Sequence, residues 1–236
     1  MQRPLIIALD LDNKEKRLAL LESLKGESLY VKVGMELFYR EGNKVIEQLK
    51  EEGHRIFLDL KLHDIPNTVQ RTMKELAKLN IDIVNVHAAG GQKMMAGARE
   101  GLETGTSSGS RRPVLIAVTQ LTSTDEQTMQ DELLIQRPLT EVVQSYALLA
   151  KSSGVDGVVC SAQEVPLIHQ ACGTSFYTVT PGIRRVGDEV GDQKRVVSPG
   201  QARELGSWGI VVGRSITGAN DPLQVYREMK QQWEGL

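Results

Sequence analysis

Cysteine is scarce in this chain: Cys160 and Cys172 are the two present among 236 residues. That is too few for a disulfide framework or a zinc site built mainly from thiolates, so packing roles and a reducing, cytoplasmic setting are expected. Long apolar runs are missing too. The first apolar stretch, Leu5 to Leu9, meets Asp10 after five residues, too short for a signal-peptide core or a membrane span. Neither charge sign is in excess, since 28 Lys plus Arg face 30 Asp plus Glu for a net of −2. Nothing here attracts nucleic acid or an anionic membrane in general, so an anionic ligand must be held by local chemistry. There is no Walker A loop and no His-Glu-x-x-His, and Asp10-Leu11-Asp12-Asn13 stands where a dinucleotide fingerprint would follow the first strand. Nucleotide hydrolysis, zinc proteolysis and hydride transfer therefore lack their usual apparatus.

What is present is a rhythm. With 40% hydrophobic and 25% charged residues, the composition is that of an ordinary globular protein. Short runs rich in Val, Ile and Leu read as strands at Leu5–Leu9, Leu29–Val33, Arg55–Leu60, Ile81–Val86, Val114–Val118, Gly157–Cys160, Phe176–Val179 and Gly209–Val212. Between them, Lys14–Leu24, Lys44–Glu52, Thr68–Leu79, Gln92–Glu103, Leu139–Ser152, Glu164–Ala171, Pro199–Leu205 and Pro222–Gln232 read as helices. Eight such units predict an α/β fold, a single-domain (β/α)8 TIM barrel over residues 1–236. Strands buried on both faces account for the nearly continuous apolar runs.

In such a barrel the strand C-termini and the loops after them form the active face. Strand one ends at Asp10, strand two carries Lys32, strand three runs into Asp59-Leu60-Lys61-Leu62-His63-Asp64, and strand four ends in Asn85-Val86-His87. Strand alternation sends Asp59 and Lys61 to one side with Leu60 opposed. Asp10, Lys32, Asp59, Lys61 and Asp64 are thus expected to meet at the mouth. Alternating carboxylates and ammonium groups offset one another's desolvation, so they suit either a structural salt-bridge network or a catalytic one. The three Asp residues could also ligate Mg2+, but the interleaved lysines already compensate them, and no metal is expected.

The loops after strands seven and eight carry Thr180-Pro181-Gly182-Ile183-Arg184 and Val212-Gly213-Arg214-Ser215-Ile216. Barrels commonly hold a phosphate there, with Gly213 admitting the backbone and Arg214 supplying a fork of donors. Gly105-Thr106-Ser107-Ser108-Gly109 matches a nucleophile-elbow pattern, but it follows a helix and reads as a turn at the wrong end of the barrel. His54 and His169 read as surface residues. Trp208 and Trp233 read as packing residues.

Leu58-Asp59-Leu60-Lys61-Leu62-His63-Asp64-Ile65-Pro66 closely resembles the signature of the orotidine 5′-phosphate decarboxylase family, bacterial type. Further matches run the whole chain, among them Val31-Lys32-Val33-Gly34, Val86-His87-Ala88, Thr119-Gln120-Leu121-Thr122-Ser123 and Asp192-Gln193. The resemblance implies a cofactor-free conversion of orotidine 5′-monophosphate to uridine 5′-monophosphate and CO2 in pyrimidine synthesis. It implies that Lys61 protonates C6, that Asp59 lies against the departing carboxylate, and that Lys32 and Asp64 complete the charged row. Asp10 and Lys32 would hold ribose hydroxyls, Thr122 the pyrimidine, and Gln193, Gly213 and Arg214 the phosphate, with Arg184 near the phosphate or a closing loop. It also implies a homodimer in which Asp64, Ile65 and Thr68 reach the neighbouring site.

The residues fit that chemistry. Loss of CO2 leaves electron density on C6 that no π-system can spread, so a fixed cation aimed at that carbon is required, and Lys61 suits it. The stretch from Arg184 to Gln193, with Gly187 and Gly191, reads as a lid. His63 reads as an orienting or interface residue and His87 as support for the charged row. Two alternatives remain open: a Mg2+-dependent relative acting on sugar phosphates through an enediolate, as in 3-keto-gulonate 6-phosphate decarboxylase and hexulose-phosphate synthase, or a noncatalytic nucleotide-phosphate binding module.

Overall fold

The computed structural model describes residues 3–185 and 196–236. Eight strands, β1 (Leu5–Ala8), β2 (Tyr30–Gly34), β3 (Arg55–Leu62), β4 (Ile83–His87), β5 (Val114–Val118), β6 (Gly157–Val159), β7 (Tyr177–Thr180) and β8 (Gly209–Val212), pair in chain order and close on themselves. All pairings are parallel, including β1 with β8. Helices α1 (Lys14–Ser23), α2 (Met35–Glu41), α3 (Asn43–Glu51), α4 (Pro66–Ala77), α5 (Gly91–Gly105), α6 (Glu126–Asp131), α7 (Leu139–Ser152), α8 (Val165–Cys172), α9 (Pro199–Glu204), α10 (Arg214–Thr217) and α11 (Pro222–Glu234) alternate with the strands. The fold is the (β/α)8 barrel that the rhythm predicts.

Strand alternation divides the core in two. Ile6, Ala8, Phe57, Ile83, Val114, Ile116, Val179 and Val211 form a cluster within the barrel. Their chain neighbours Leu5, Ile7, Ile56, Leu58, Val84, Leu115, Ile210 and Val212 join the larger cluster between strands and helices. Lys32, Asp59 and Asn85 share the inward parity, each two residues after Tyr30, Phe57 or Ile83. The sheet thus carries an apolar floor and a polar mouth.

The expected helices correspond to α1, α3, α4, α5, α7, α8, α9 and α11. The additional α2, α6 and α10 have 7, 6 and 4 residues, too few turns for apolar periodicity to be read. Asn13, Asp125 and Asp221 accept backbone N–H groups at the starts of α1, α6 and α11, and Ser198 with Gln201 forms a capping box on α9. His54, expected at the surface, is buried just before β3, and burial lowers its pKa despite Glu52. His169 is half-buried. Trp233 is buried with its Nε1 donating to the Arg3 carbonyl at 3.1 Å, and Trp208 stacks on Tyr177 at 4.3 Å between centroids. Both cysteines are buried free thiols.

Helices α4 and α5 touch backbone to backbone. Gly97, Gly101 and Gly105 recur every four residues along α5, so they lie on one face. A Cβ at Gly101 would stand 2.1 Å from the Gln70 carbonyl oxygen, and one at Gly105 would stand 2.3 Å from that of Lys74. This approach fixes α4, whose start carries Ile65 and Thr68. Gly101→Ala should force the helices apart and destabilise the fold by about 1–3 kcal/mol in urea denaturation, despite the better helix propensity of alanine. Gly97→Ala, with its nearest contact at 3.1 Å, should cost less.

Candidate active site

The mouth is built around a row of alternating charges. Lys32 Nζ donates to both carboxylate oxygens of Asp10 at 3.0 and 3.1 Å and lies 3.3 Å from Asp59 Oδ2. Lys61 Nζ donates to Asp59 Oδ1 at 2.7 Å. Asp59 and Lys32 are buried, Lys61 is half-buried, and Asp10 opens to solvent. Gly34 leaves room for the outer pair, since a Cβ there would meet Asp10 Oδ1 at 2.9 Å and Lys32 Nζ at 3.3 Å.

Burial opposes the charge of Lys32, but Asp59 and Asp10 outweigh it, and its pKa is raised. Burial likewise pushes the Asp59 carboxyl up, while Lys32, Lys61 and a hydrogen bond from Asn85 pull it below the ordinary value. Both groups of this buried pair are therefore ionised at neutral pH.

Asp59 and Lys61 do converge, though by a different route from simple alternation. Leu58 pairs with Val84 and Leu62 with Val86, so four residues of β3 advance against two of β4. In this bulge Lys61 has φ of 51°, the left-handed region that side chains other than glycine rarely adopt. Its N–H donates to Asn85 Oδ1 at 2.8 Å, and Asn85 Nδ2 donates to Asp59 Oδ1 at 2.6 Å. Asn85 had no functional assignment from sequence, although its inward parity with Ile83 was a usable signal.

Asp64 does not join the other four charges within the chain, which corrects the expectation of five meeting. Past the bulge the chain leaves the barrel, so Asp64 lies exposed on the loop before α4, with Oδ1 accepting the Ile65 N–H at 2.6 Å. Ile65 is 65% exposed and Thr68 is also exposed. His63 stacks on His87 with centroids 5.7 Å apart. Burial, then His63 and Lys61, lowers the His87 pKa, which keeps that ring neutral.

Above the row opens a cavity of about 600 Å3. It brings Asp10, Lys32, Asp59 and Lys61 together with Thr122, Arg184, Gly213 and Arg214. Gln120, buried and lining the same space, was part of a matching run in the sequence but was given no role there. Arg184 is anchored where its N–H donates to the Val197 carbonyl at 3.0 Å, and Val197 N–H donates to Gly182 O at 3.1 Å. Gln193, Gly187 and Gly191, expected in the phosphate site and lid, lie outside the described residues.

Among the described residues, no three His, Cys, Asp or Glu side chains are grouped to hold a metal ion, and no helix is long and apolar enough to cross a membrane. A family model for the orotidine 5′-phosphate decarboxylase / HUMPS family matches residues 3–229. Over 235 residues the chain is 65% identical to orotidine 5′-phosphate decarboxylase of Shouchella clausii, covering 100% of this chain and 98% of that protein. It is 64% identical to that of Halalkalibacterium halodurans, with 100% of each covered. The crystal structure of orotidine 5′-phosphate decarboxylase from Lactobacillus acidophilus aligns with a TM-score of 0.88 at 46% identity, covering 98% of this chain and 99% of that one.

Replacing Asp59 tests the electrostatic reading. Asp59→Asn leaves Lys32 partly uncompensated and should cost about 3–5 kcal/mol at neutral pH, measured by urea denaturation. Because the folded pKa of Asp59 is depressed, its stabilisation is present above the unfolded value and is lost as pH falls through the folded one. The gap between wild type and variant should therefore close with acidification.

Proposed function

This chain belongs to the orotidine 5′-phosphate decarboxylase / HUMPS family, and from that premise we propose how its mouth carries out the reaction. The activity is that of a carboxy-lyase, orotidine 5′-phosphate decarboxylase, in pyrimidine biosynthesis. The observation that carries the finer mechanism is the Lys61 ammonium held on buried Asp59 at 2.7 Å, at the edge of the cavity.

The substrate carboxylate lies toward Asp59. The bond from C6 to the carboxylate carbon breaks, CO2 leaves, and the electron pair stays on C6. Lys61 stabilises that charge, gives C6 its proton and is reprotonated from solvent. No cofactor is required, because a preorganised cation beside the developing carbanion replaces an electron sink. Asp59 keeps Lys61 charged and aimed, and Lys32 holds Asp59 from the other side. Repulsion between Asp59 and the substrate carboxylate is relieved on departure of CO2.

Around this centre, Asp10 and Lys32 bind ribose hydroxyls and Thr122 the pyrimidine. Gly213, Arg214 and Gln193 bind the phosphate, with Arg184 beside it. Phosphate binding, remote from the breaking bond, contributes to turnover by organising the site. Residues 1–236 act as one barrel domain within a homodimer, in which Asp64, Ile65 and Thr68 reach the neighbouring site. Their exposure, and a groove of about 520 Å3 along α4 lined by Thr68, Arg71 and Glu75, support that pairing.

Purified protein in EDTA should deplete the absorbance of orotidine 5′-monophosphate and yield uridine 5′-monophosphate, with Lys61→Ala slower by about 1000-fold or more. Activity confined to a sugar phosphate and Mg2+ would favour the HUMPS branch, and tight nucleotide binding without turnover would favour a binding module. Lys61→Ala and Asp64→Asn, each nearly inactive, should recover part of the wild-type rate when mixed. Absence of recovery after demonstrated subunit exchange would sink the shared site.

A further inference from the structure

We propose that Asn85 is the positioning residue of this site: its side-chain amide holds the Lys61 backbone in the left-handed conformation and fixes Asp59 against the Lys61 ammonium. The inference rests on Lys61 being the proton donor, since it concerns what aims that group.

The bulge between β3 and β4 deprives Lys61 of an ordinary ladder partner, and an N–H left without an acceptor inside protein is destabilising. A non-glycine residue in the left-handed region adds a steric cost of its own. Asn85 Oδ1 answers the first cost by accepting the Lys61 N–H at 2.8 Å, which also locks the conformation that incurs the second. The other half of the same amide donates to Asp59 Oδ1 at 2.6 Å, the oxygen that also takes the Lys61 ammonium. One rigid group therefore grips the lysine at its backbone and, through Asp59, at its tip.

The residue type is specified by these partners. A carboxylate needs a donor and an N–H needs an acceptor, and a side-chain amide offers both from one plane in only one flip. Asn85 is 1% exposed, so water does not compete for either half. An aspartate would match its shape but set a second negative charge against Asp59, with Lys61 and Lys32 as the cations beyond. A leucine would leave both partners unsatisfied. Asn85 is not among the residues lining the cavity, so it acts through Lys61 and Asp59.

The test compares Asn85→Ala and Asn85→Asp with the wild-type enzyme. Asn85→Ala should lower kcat by about 10–100-fold through misplacement of Lys61. The affinity for uridine 5′-monophosphate, governed largely by the distant phosphate loops, should stay within about threefold. In its crystal structure, Lys61 should leave the left-handed region or lose its contact with Asp59. Asn85→Asp, isosteric and less disruptive to folding, should add a falling limb to the pH profile. At low pH the introduced acid keeps its proton and can still donate to Asp59, and at high pH it cannot. Full kcat in both variants, a pH profile superimposable on wild type and an unmoved Lys61 would overturn the proposal. If Asn85→Ala does not fold, Asn85→Asp decides by its pH profile and its structure. If the wild-type protein fails to decarboxylate the nucleotide, the functional reading falls alone, and the two structures, which need no substrate, still decide whether Asn85 holds Lys61.

Discussion

Everything at the barrel mouth depends on keeping Asp59 ionised inside protein. A carboxylate taken from water is costly unless its charge is met at close range and its lone pairs are filled. Here Lys32 and Lys61 meet the charge and Asn85 supplies a neutral donor. The groups around the row follow from that requirement. Asp10 compensates Lys32 on its far side, Gly34 leaves space for that pair, and the bulge in β3 turns Lys61 back toward Asp59. A regular pleat with a bulkier residue at position 34 would not accommodate the same four charges.

Much of this was legible in the sequence, for identifiable reasons. Strands buried on both faces leave continuous apolar runs, so all eight were recognisable to within about two residues, the usual uncertainty of element ends. Asp10, Lys32, Asp59 and Lys61 stood out because charged residues at the ends of buried strands are costly unless they compensate one another. Asp64 was read into the same cluster because spacing in sequence says nothing about where the chain turns. It turns immediately after Leu62, and Asp64 faces solvent. Asn85 was passed over because an amide carries no charge to signal its importance. Its role becomes visible only when the left-handed backbone of Lys61 shows which N–H needs a partner. His54 was misjudged since polarity alone suggested exposure, whereas its place at the threshold of β3 buries it.

The buried ring of His87 shows how local packing extends the same logic. His87 sits beside Lys61, and a proton on its ring would add a third cation near one carboxylate. Burial, the neighbouring His63 ring and Lys61 oppose that proton, so the His87 ring does not compete with the two lysines for Asp59. Arg184 and Arg214 line the cavity at the mouth and give it an excess of positive charge toward an anion, above a row whose cations are already oriented.

The glycine face of α5 separates two duties that a helix usually combines. Because α4 is held from within by main-chain contact at Gly101 and Gly105, its outward residues Asn67, Arg71, Thr72 and Glu75 are released from holding the barrel together. Mutational drift on that outer surface can then proceed with little penalty to the fold, whereas drift on the inner surface meets a backbone with no slack.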